Sequence, residues 1–245
     1  MKSLAIMQPY FFPYIGYWQM IHAVDRFVIY DDVNYIIRGW VNRNRILING
    51  RPSYITVPLQ HASQNRRICD ISLLPSPAWR DKLIKSVETT YRKSPCFPDV
   101  FPAVEKLIRY ETDNLSDYLA HHLQVLAEFM EIKTKFVVTS RCYGNNDLSG
   151  HERIIDICTR EGATKYINPQ GGQTLYNSEI FSSVGIDLRF IVMRPIPYKQ
   201  RGAAFVPCLS IIDALMEVGS VGIKNYLNAF DLLDVGAAPH AIPFK

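Results

Sequence analysis

A short apolar run over residues 3–6 ends in Met7-Gln8-Pro9-Tyr10-Phe11-Phe12-Pro13-Tyr14-Ile15-Gly16-Tyr17-Trp18. Two prolines and a glycine stop a strand and set a turn, and the apolar positions through Ile21 then predict a helix. Phe27-Val28-Ile29-Tyr30, closed by Asp31-Asp32, reads as a second, buried strand. Residues 1–32 thus form strand, turn, helix, strand. The polar and basic stretch 34–49 ends at Asn49-Gly50, a strong hairpin signal, with Tyr54-Ile55-Thr56-Val57-Pro58 as the returning strand.

The period changes to helical between residues 76 and 136, with Trp79, Leu83, Ile84 and Val87 at helical spacing, breaks at Pro95 and Pro98, and a second periodic run over 115–130. Phe136-Val137-Val138 returns to strand character. From Gly150 the alternation resumes: helix over 151–161, strand over 164–167, turn over 168–173, short helix over 178–184, strand over 187–193. This order predicts one α/β domain over residues 1–245, with a Rossmann-like, mostly parallel sheet and a helical insertion near 76–132.

Composition narrows the class. With 48% hydrophobic and 20% charged residues in 245, the chain has the material for a packed core and disorder is excluded. The net charge of +4 is spread, apart from local runs at 38–45 and 66–67, which suits phosphate or carboxylate binding better than a nucleic-acid tract. The five cysteines, 69, 96, 142, 158 and 208, show no CxxC pair. They read as reduced, small buried hydrophobes, and no metal site is expected. Lys2 and the early prolines do not make a secretory signal, and no apolar run reaches membrane-span length, so a cytoplasmic protein is expected.

Three segments carry candidate chemistry. Six aromatic rings crowd into residues 10–18 beside the Gln8 amide, where open α/β folds build a ligand crevice. Asp31 and Asp32 stand at a strand's carboxyl end, suited to orient a ligand or act as a base. After Asn34 and Trp40 comes Asn42-Arg43-Asn44-Arg45; if extended, its amides face one way and its guanidiniums the other, so that one face could clamp an anion. Asn168-Pro169-Gln170-Gly171-Gly172-Gln173 is the third, where Gly171 and Gly172 let backbone N–H groups approach an anion or a sugar. No GxGxxG, Walker, GxSxG or HExxH motif is present. His121-His122 reads as a helix-surface pair and His22 as a core or rim histidine.

Residues 7–18, Asp31-Asp32-Val33, Gly39-Trp40-Val41-Asn42-Arg43-Asn44, residues 166–176 and residues 205–213 together resemble the WbqC-like proteins of bacterial surface-polysaccharide gene clusters. The family often opens His-Gln-Pro, and Met7 stands at the histidine position. The resemblance implies transfer of an acyl or aminoacyl group, such as glycine, to the amine of a nucleotide-linked aminodeoxy sugar. On that chemistry Asp32 takes or orients the amine proton and Arg43 or Asn42 stabilises developing charge, while Gln8 fixes the sugar. The loop 168–173 would hold pyrophosphate, and Tyr10, Tyr14 or Trp40 would stack on base or sugar. A weaker likeness, to ATP-using nucleotidyltransferases, meets tyrosines at both positions of their paired histidines, Tyr14 and Tyr17; ATP stands as a candidate cofactor only. The small acyl or amino-acid donor and the sugar nucleotide are the expected partners, with a homo-oligomer allowed and no nucleic acid. The alternatives are a sugar-nucleotide-binding scaffold protein and a glycosyltransferase. One geometric expectation follows. Residues 31–45 and 168–173 meet Gln8-Pro9-Tyr10 in one cleft, and Asn42→Ala or Arg43→Ala removes ligand binding with little loss of stability.

Overall fold

The computed structural model describes residues 2–194, 196–202, 204–234 and 236. Met1 and residues 237–245 of the expected domain lie outside them. In chain order the elements are β1 (Ser3–Met7), α1 (Ile15–His22), β2 (Arg26–Ile29), β3 (Arg43–Ile48), β4 (Arg51–Thr56), β5 (Leu59–Gln60), β6 (Ser72–Leu73), α2 (Ala78–Tyr91), α3 (Phe97–Arg109) and α4 (Leu115–Phe129). They continue as β7 (Lys135–Val137), α5 (Gly150–Arg160), β8 (Lys165–Pro169), α6 (Ser178–Ser183), β9 (Asp187–Met193), α7 (Ile211–Gly222), α8 (Lys224–Leu227) and β10 (Phe230–Leu233).

The central sheet has the order β10-β9-β8-β1-β2-β7 and is parallel except for β10, which runs antiparallel to β9. The expected mostly parallel α/β sheet is present. Both faces are covered, so the inner strands β1 and β2 read as short buried apolar runs, while the edge strands β7 and β10 are only partly buried. Period-two geometry sorts side chains to opposite faces. Leu4, Ile6, Val28 and Phe190 pack with Ile154, Ile157 and Phe181 of α5 and α6. Ala5, Phe27, Ile29 and Ile191 enter the larger core with Trp18 of α1, Leu119 and Leu123 of α4, and Leu215 of α7.

The chain lays down β1, β2 and β7 in one direction, then returns to place β8 and β9 on the other side of β1. The connections after β1 and β8 therefore diverge at the carboxyl edge. This is the topological switch point at which open α/β sheets form their crevice.

Elements beyond the reach of the sequence pattern are those that depend on distant partners. Helix α7 begins at Ser210, whose hydroxyl accepts from the Ile212 N–H at 3.3 Å. β10 exists through its ladder to β9, with Leu232 opposite Ile191. Residues 76–132 contain α2, α3 and α4. The adjacent histidines are not a surface pair. His122 is fully buried against Phe11, Phe12 and Tyr118, while only His121 is half-buried, stacked on Tyr110 at 3.7 Å between ring centres. The helix register explains the difference, since Tyr118 and His122 share one apolar face. His22 sits at a rim, its Nε2 3.2 Å from Asn228 Oδ1.

Candidate functional site

The aromatic turn is built from inward and outward rings. Phe11, Phe12, Tyr17 and Trp18 are buried. The Tyr17 hydroxyl donates to the Gln8 carbonyl (2.7 Å) and Trp18 Nε1 donates to the Pro13 carbonyl (2.9 Å), so helix α1 braces the turn that precedes it. Phe12 has φ 42, a left-handed conformation that costs a non-glycine residue energy unless its surroundings impose it. Asn44 Nδ2 donates to the carbonyls of Phe11 (3.1 Å) and Phe12 (2.8 Å), and the Ser210 hydroxyl donates to the Phe12 carbonyl (3.0 Å). The Phe11 N–H meets the Trp40 carbonyl at 3.1 Å, and the Ser210 N–H meets the Arg45 carbonyl at 2.8 Å. The turn, β3 and the start of α7 are thereby locked together.

Above this lock, a cavity of about 390 Å³ opens at the carboxyl ends of β1, β8 and β9. Such a volume suits a small ligand, for which pockets of roughly 300–1,000 Å³ are usual. Its walls come from Met7, Tyr10 and Tyr14 of the turn, Tyr17 and Met20 of α1, and Trp40; Pro169, Gln170 and Gly171 follow β8, and Ile191 to Met193 end β9. Cys208 completes the wall. A smaller cavity of about 240 Å³ adjoins it, sharing Tyr10, Tyr14, Trp40 and Cys208 and adding Pro13 and Asn44. A third space, about 470 Å³, lies at the amino edge among Lys2, Asp25, Arg26 and Lys135, where no switch point opens the sheet.

The electrostatics of the cleft are plain. No carboxylate, imidazole or lysine lines either cavity among the described residues. Burial raises the Tyr10 and Tyr14 hydroxyls, that of Tyr14 up to about 12, so both remain neutral donors at pH 7. Burial also raises the Cys208 thiol, with Arg45 opposing it.

Of the residues singled out from sequence, the fold brings Tyr10, Tyr14, Trp40 and Gly171 into the larger cavity, and Asn44 into the smaller one. Gln8, half-buried, is not among the lining residues and offers its carbonyl to Tyr17. Asp31 and Asp32 point elsewhere. Asp31, fully buried, accepts from Thr139 Oγ1 (2.9 Å), the Ser140 N–H (2.9 Å) and the Ser116 hydroxyl (2.6 Å). Asp32 accepts from the Ser140 hydroxyl and pairs with Arg153 at 2.6 Å. Both carboxylates join β2 to the 140s segment and α5, and neither lines the two cavities.

β3 does alternate, amides in and guanidiniums out, but the amides serve the protein. Asn42 Nδ2 donates to the Val57 carbonyl (2.8 Å) and its Oδ1 accepts from the Tyr35 hydroxyl (2.7 Å). Arg43 donates through Nε to the Gly39 carbonyl (3.2 Å) and through Nη2 to that of Arg38, stapling the preceding turn with its guanidinium over Tyr54. Asn34 is exposed and bridges to Arg67. Asn42→Ala is accordingly expected to lower stability by about 1–3 kcal/mol, through an unsatisfied Tyr35 hydroxyl and Val57 carbonyl. Chemical denaturation measures it, and unchanged stability would return Asn42 to the ligand-binding role read from sequence.

The glycine pair divides. An added Cβ at Gly172 would fall 3.0 Å from Asn168 Nδ2, so this glycine makes room for a buried asparagine. At Gly171 it would meet nothing within 4 Å, because that position faces the open cleft. Gln173, half-buried, carries a buried Nε2 without a partner. Sequence reasoning placed Cys208 among the buried hydrophobes. It lies instead in the cleft wall with φ 55, whereas Cys69 and Cys158 are buried and Cys142 is exposed. The only signal for Cys208 was its place in the segment 205–213.

The fold and the cleft define an α/β protein with a switch-point ligand crevice walled by aromatic rings and neutral hydrogen-bond donors. Residues 8–225 match the WbqC-like protein family, and the chain belongs to it. It is 28% identical over 222 residues, 90% of this chain and 95% of the relative, to "Uncharacterized protein Rv1507c" of Mycobacterium tuberculosis. No solved structure matches the chain. No described helix is long and apolar enough to cross a membrane.

Proposed function

We propose that the cleft binds a nucleotide-linked aminodeoxy sugar and that the protein transfers a small acyl or aminoacyl group to its amine in surface-polysaccharide biosynthesis. WbqC-like membership suggests the polysaccharide setting. The observation that carries the ligand class is the cavity of about 390 Å³ at the switch point, with flat aromatic walls and neutral donors. Rings stack on sugars and bases, while Tyr10 and Tyr14 can donate to sugar hydroxyls or to a carbonyl oxygen gaining charge. In the transfer, the amine nitrogen bonds to the acyl carbon, the bond from that carbon to its activating group breaks, and the ammonium proton leaves to solvent. The cleft contributes orientation and oxyanion donors, and no carboxylate or imidazole lines it among the described residues; because the bond broken is the one to the activating group, the donor is an acyl phosphate, adenylate or thioester.

Incubating the protein with candidate nucleotide amino sugars and activated donors is expected to raise the sugar's mass by that of the parent acid less water. No mass change across the panel overturns the transfer. Gly171→Val supplies the matching control. Its side chain enters open space, so folding is expected to stay within about 0.5 kcal/mol of the parent while ligand affinity falls at least tenfold. Unchanged affinity would move the ligand out of this cleft.

A cleft without carboxylate or imidazole also favours a second reading, a sugar-nucleotide-binding protein without chemistry. Saturable binding with no product in the same assay selects it.

A further inference from the structure

Resting on the cleft reading above, we propose that Arg45, lying over Trp40, forms the oxyanion subsite of the cleft and takes the pyrophosphate of the sugar nucleotide. The basic run contains several guanidiniums, and the structure separates them by what they already hold. Arg43 is committed to the carbonyls of Gly39 and Arg38. Arg153 and Arg201 elsewhere have Asp32 and Glu217. Arg45 has no carboxylate within ion-pair distance among the described residues, and its Nε is buried without a hydrogen-bond partner. A guanidinium desolvated in part and left unpaired is a standing demand for an anion.

Arg45 lines neither cavity itself, and two observations place it at their rim. Its guanidinium carbon lies 5.6 Å from the centre of the Trp40 ring, a ring that lines both cavities. Its charge also pulls down the thiol of Cys208, which lines both as well. With no carboxylate lining these walls, nothing in them competes with an incoming oxyanion. Its place over Trp40 restrains the guanidinium, and because Nε is buried it is the Nη donors that would meet phosphate oxygens. Tyr10 and Tyr14 hydroxyls, which make no hydrogen bond within the described protein, flank the same space as neutral donors. A carboxylate of an acyl donor presents the same oxyanion chemistry, and the test separates the two.

The experiment measures alkylation of Cys208 by iodoacetamide, resolved from the exposed Cys142 by peptide mass spectrometry, with UDP, inorganic pyrophosphate, glycine or an uncharged N-acetylated amino sugar as probe. Titration calorimetry gives each affinity. UDP and pyrophosphate are expected to slow Cys208 alkylation, and Arg45→Ala to weaken both about 10- to 100-fold, the loss of a charge-assisted contact. Arg45→Lys is expected to fall between, keeping charge without the fork. Equal affinity in Arg45→Ala overturns the subsite while leaving the cleft reading intact, as does protection by the uncharged sugar alone. Protection by glycine and not by pyrophosphate overturns the pyrophosphate assignment. Protection by no probe overturns the cleft reading itself.

Discussion

Asp32→Ala is expected to lower the free energy of unfolding by about 3–5 kcal/mol, because it strands a buried guanidinium. Arg153 is 4% exposed and spends its donors on Asp32 (2.6 Å), Asn145 (3.0 Å) and Asn146 (2.6 Å), with its guanidinium over the Tyr30 ring. Without the carboxylate a full charge remains in a site that water does not reach. The Ser140 hydroxyl loses an acceptor as well. Asp32→Ala combined with Arg153→Met is expected to cost clearly less than the two single losses added, since removing both charges leaves no unpaired ion. Urea denaturation of the four proteins checks this. A catalytic base at Asp32 would show the opposite pattern, with folding intact and turnover lost, and that result would refute the structural assignment.

His122→Leu is expected to remove one distinct part of the acid sensitivity of the fold, the part that His122 contributes between pH 6.5 and about 3. Burial holds His122 far below its ordinary value of 6.5, at about 3, against a smaller opposing effect of its hydrogen bond to the Tyr118 carbonyl (2.7 Å). Its Nε2 is buried without a partner, which fits a neutral ring with the proton on Nδ1. Between those two values the unfolded chain binds a proton that the folded chain refuses. Acid therefore favours unfolding, by up to roughly 1.4 kcal/mol per pH unit from this one group. Leucine fills a pocket walled by Phe11, Phe12 and Tyr118 without that penalty. Denaturation of both proteins at pH 7, 6, 5 and 4 reads the difference. A stability gap that stays constant across that range would rule out His122 as its source.

These two residues show where sequence and structure part. Strands over Phe27-Val28-Ile29 and over residues 187–193 were legible because a fully buried strand is an apolar run whatever its neighbours. The ligand cleft was legible in outline, since the proline and glycine turn after the first strand can only be a carboxyl-edge connection. Part of its wall was legible as well, in Tyr10, Tyr14, Trp40 and Gly171, but the surroundings of the polar candidates were not. Asp32, Asn42 and Arg43 look like site chemistry in one dimension, because polar density signals a site and equally signals a buried hydrogen-bond network. What distinguishes the two is whether donors and acceptors are already satisfied, and their partners lie far off: Arg153 for Asp32, Val57 for Asn42. Arg43 and Arg45 are two positions apart on one strand, yet one is spent on backbone and the other has no anion.

The sequence by itself determined the α/β class, the mostly parallel sheet, the family and the aromatic turn, all of which rest on local periodicity, turn residues and contiguous segments. The tertiary structure alone decided the strand order that places β8 beside β1, and with it the switch point. It also brought Cys208 and Gly171 together across long chain separations and turned Asp31 and Asp32 inward. The physical reason is that a cleft is made by strand order and a free charge by the absence of a partner, and both are long-range properties that no stretch of neighbouring residues encodes.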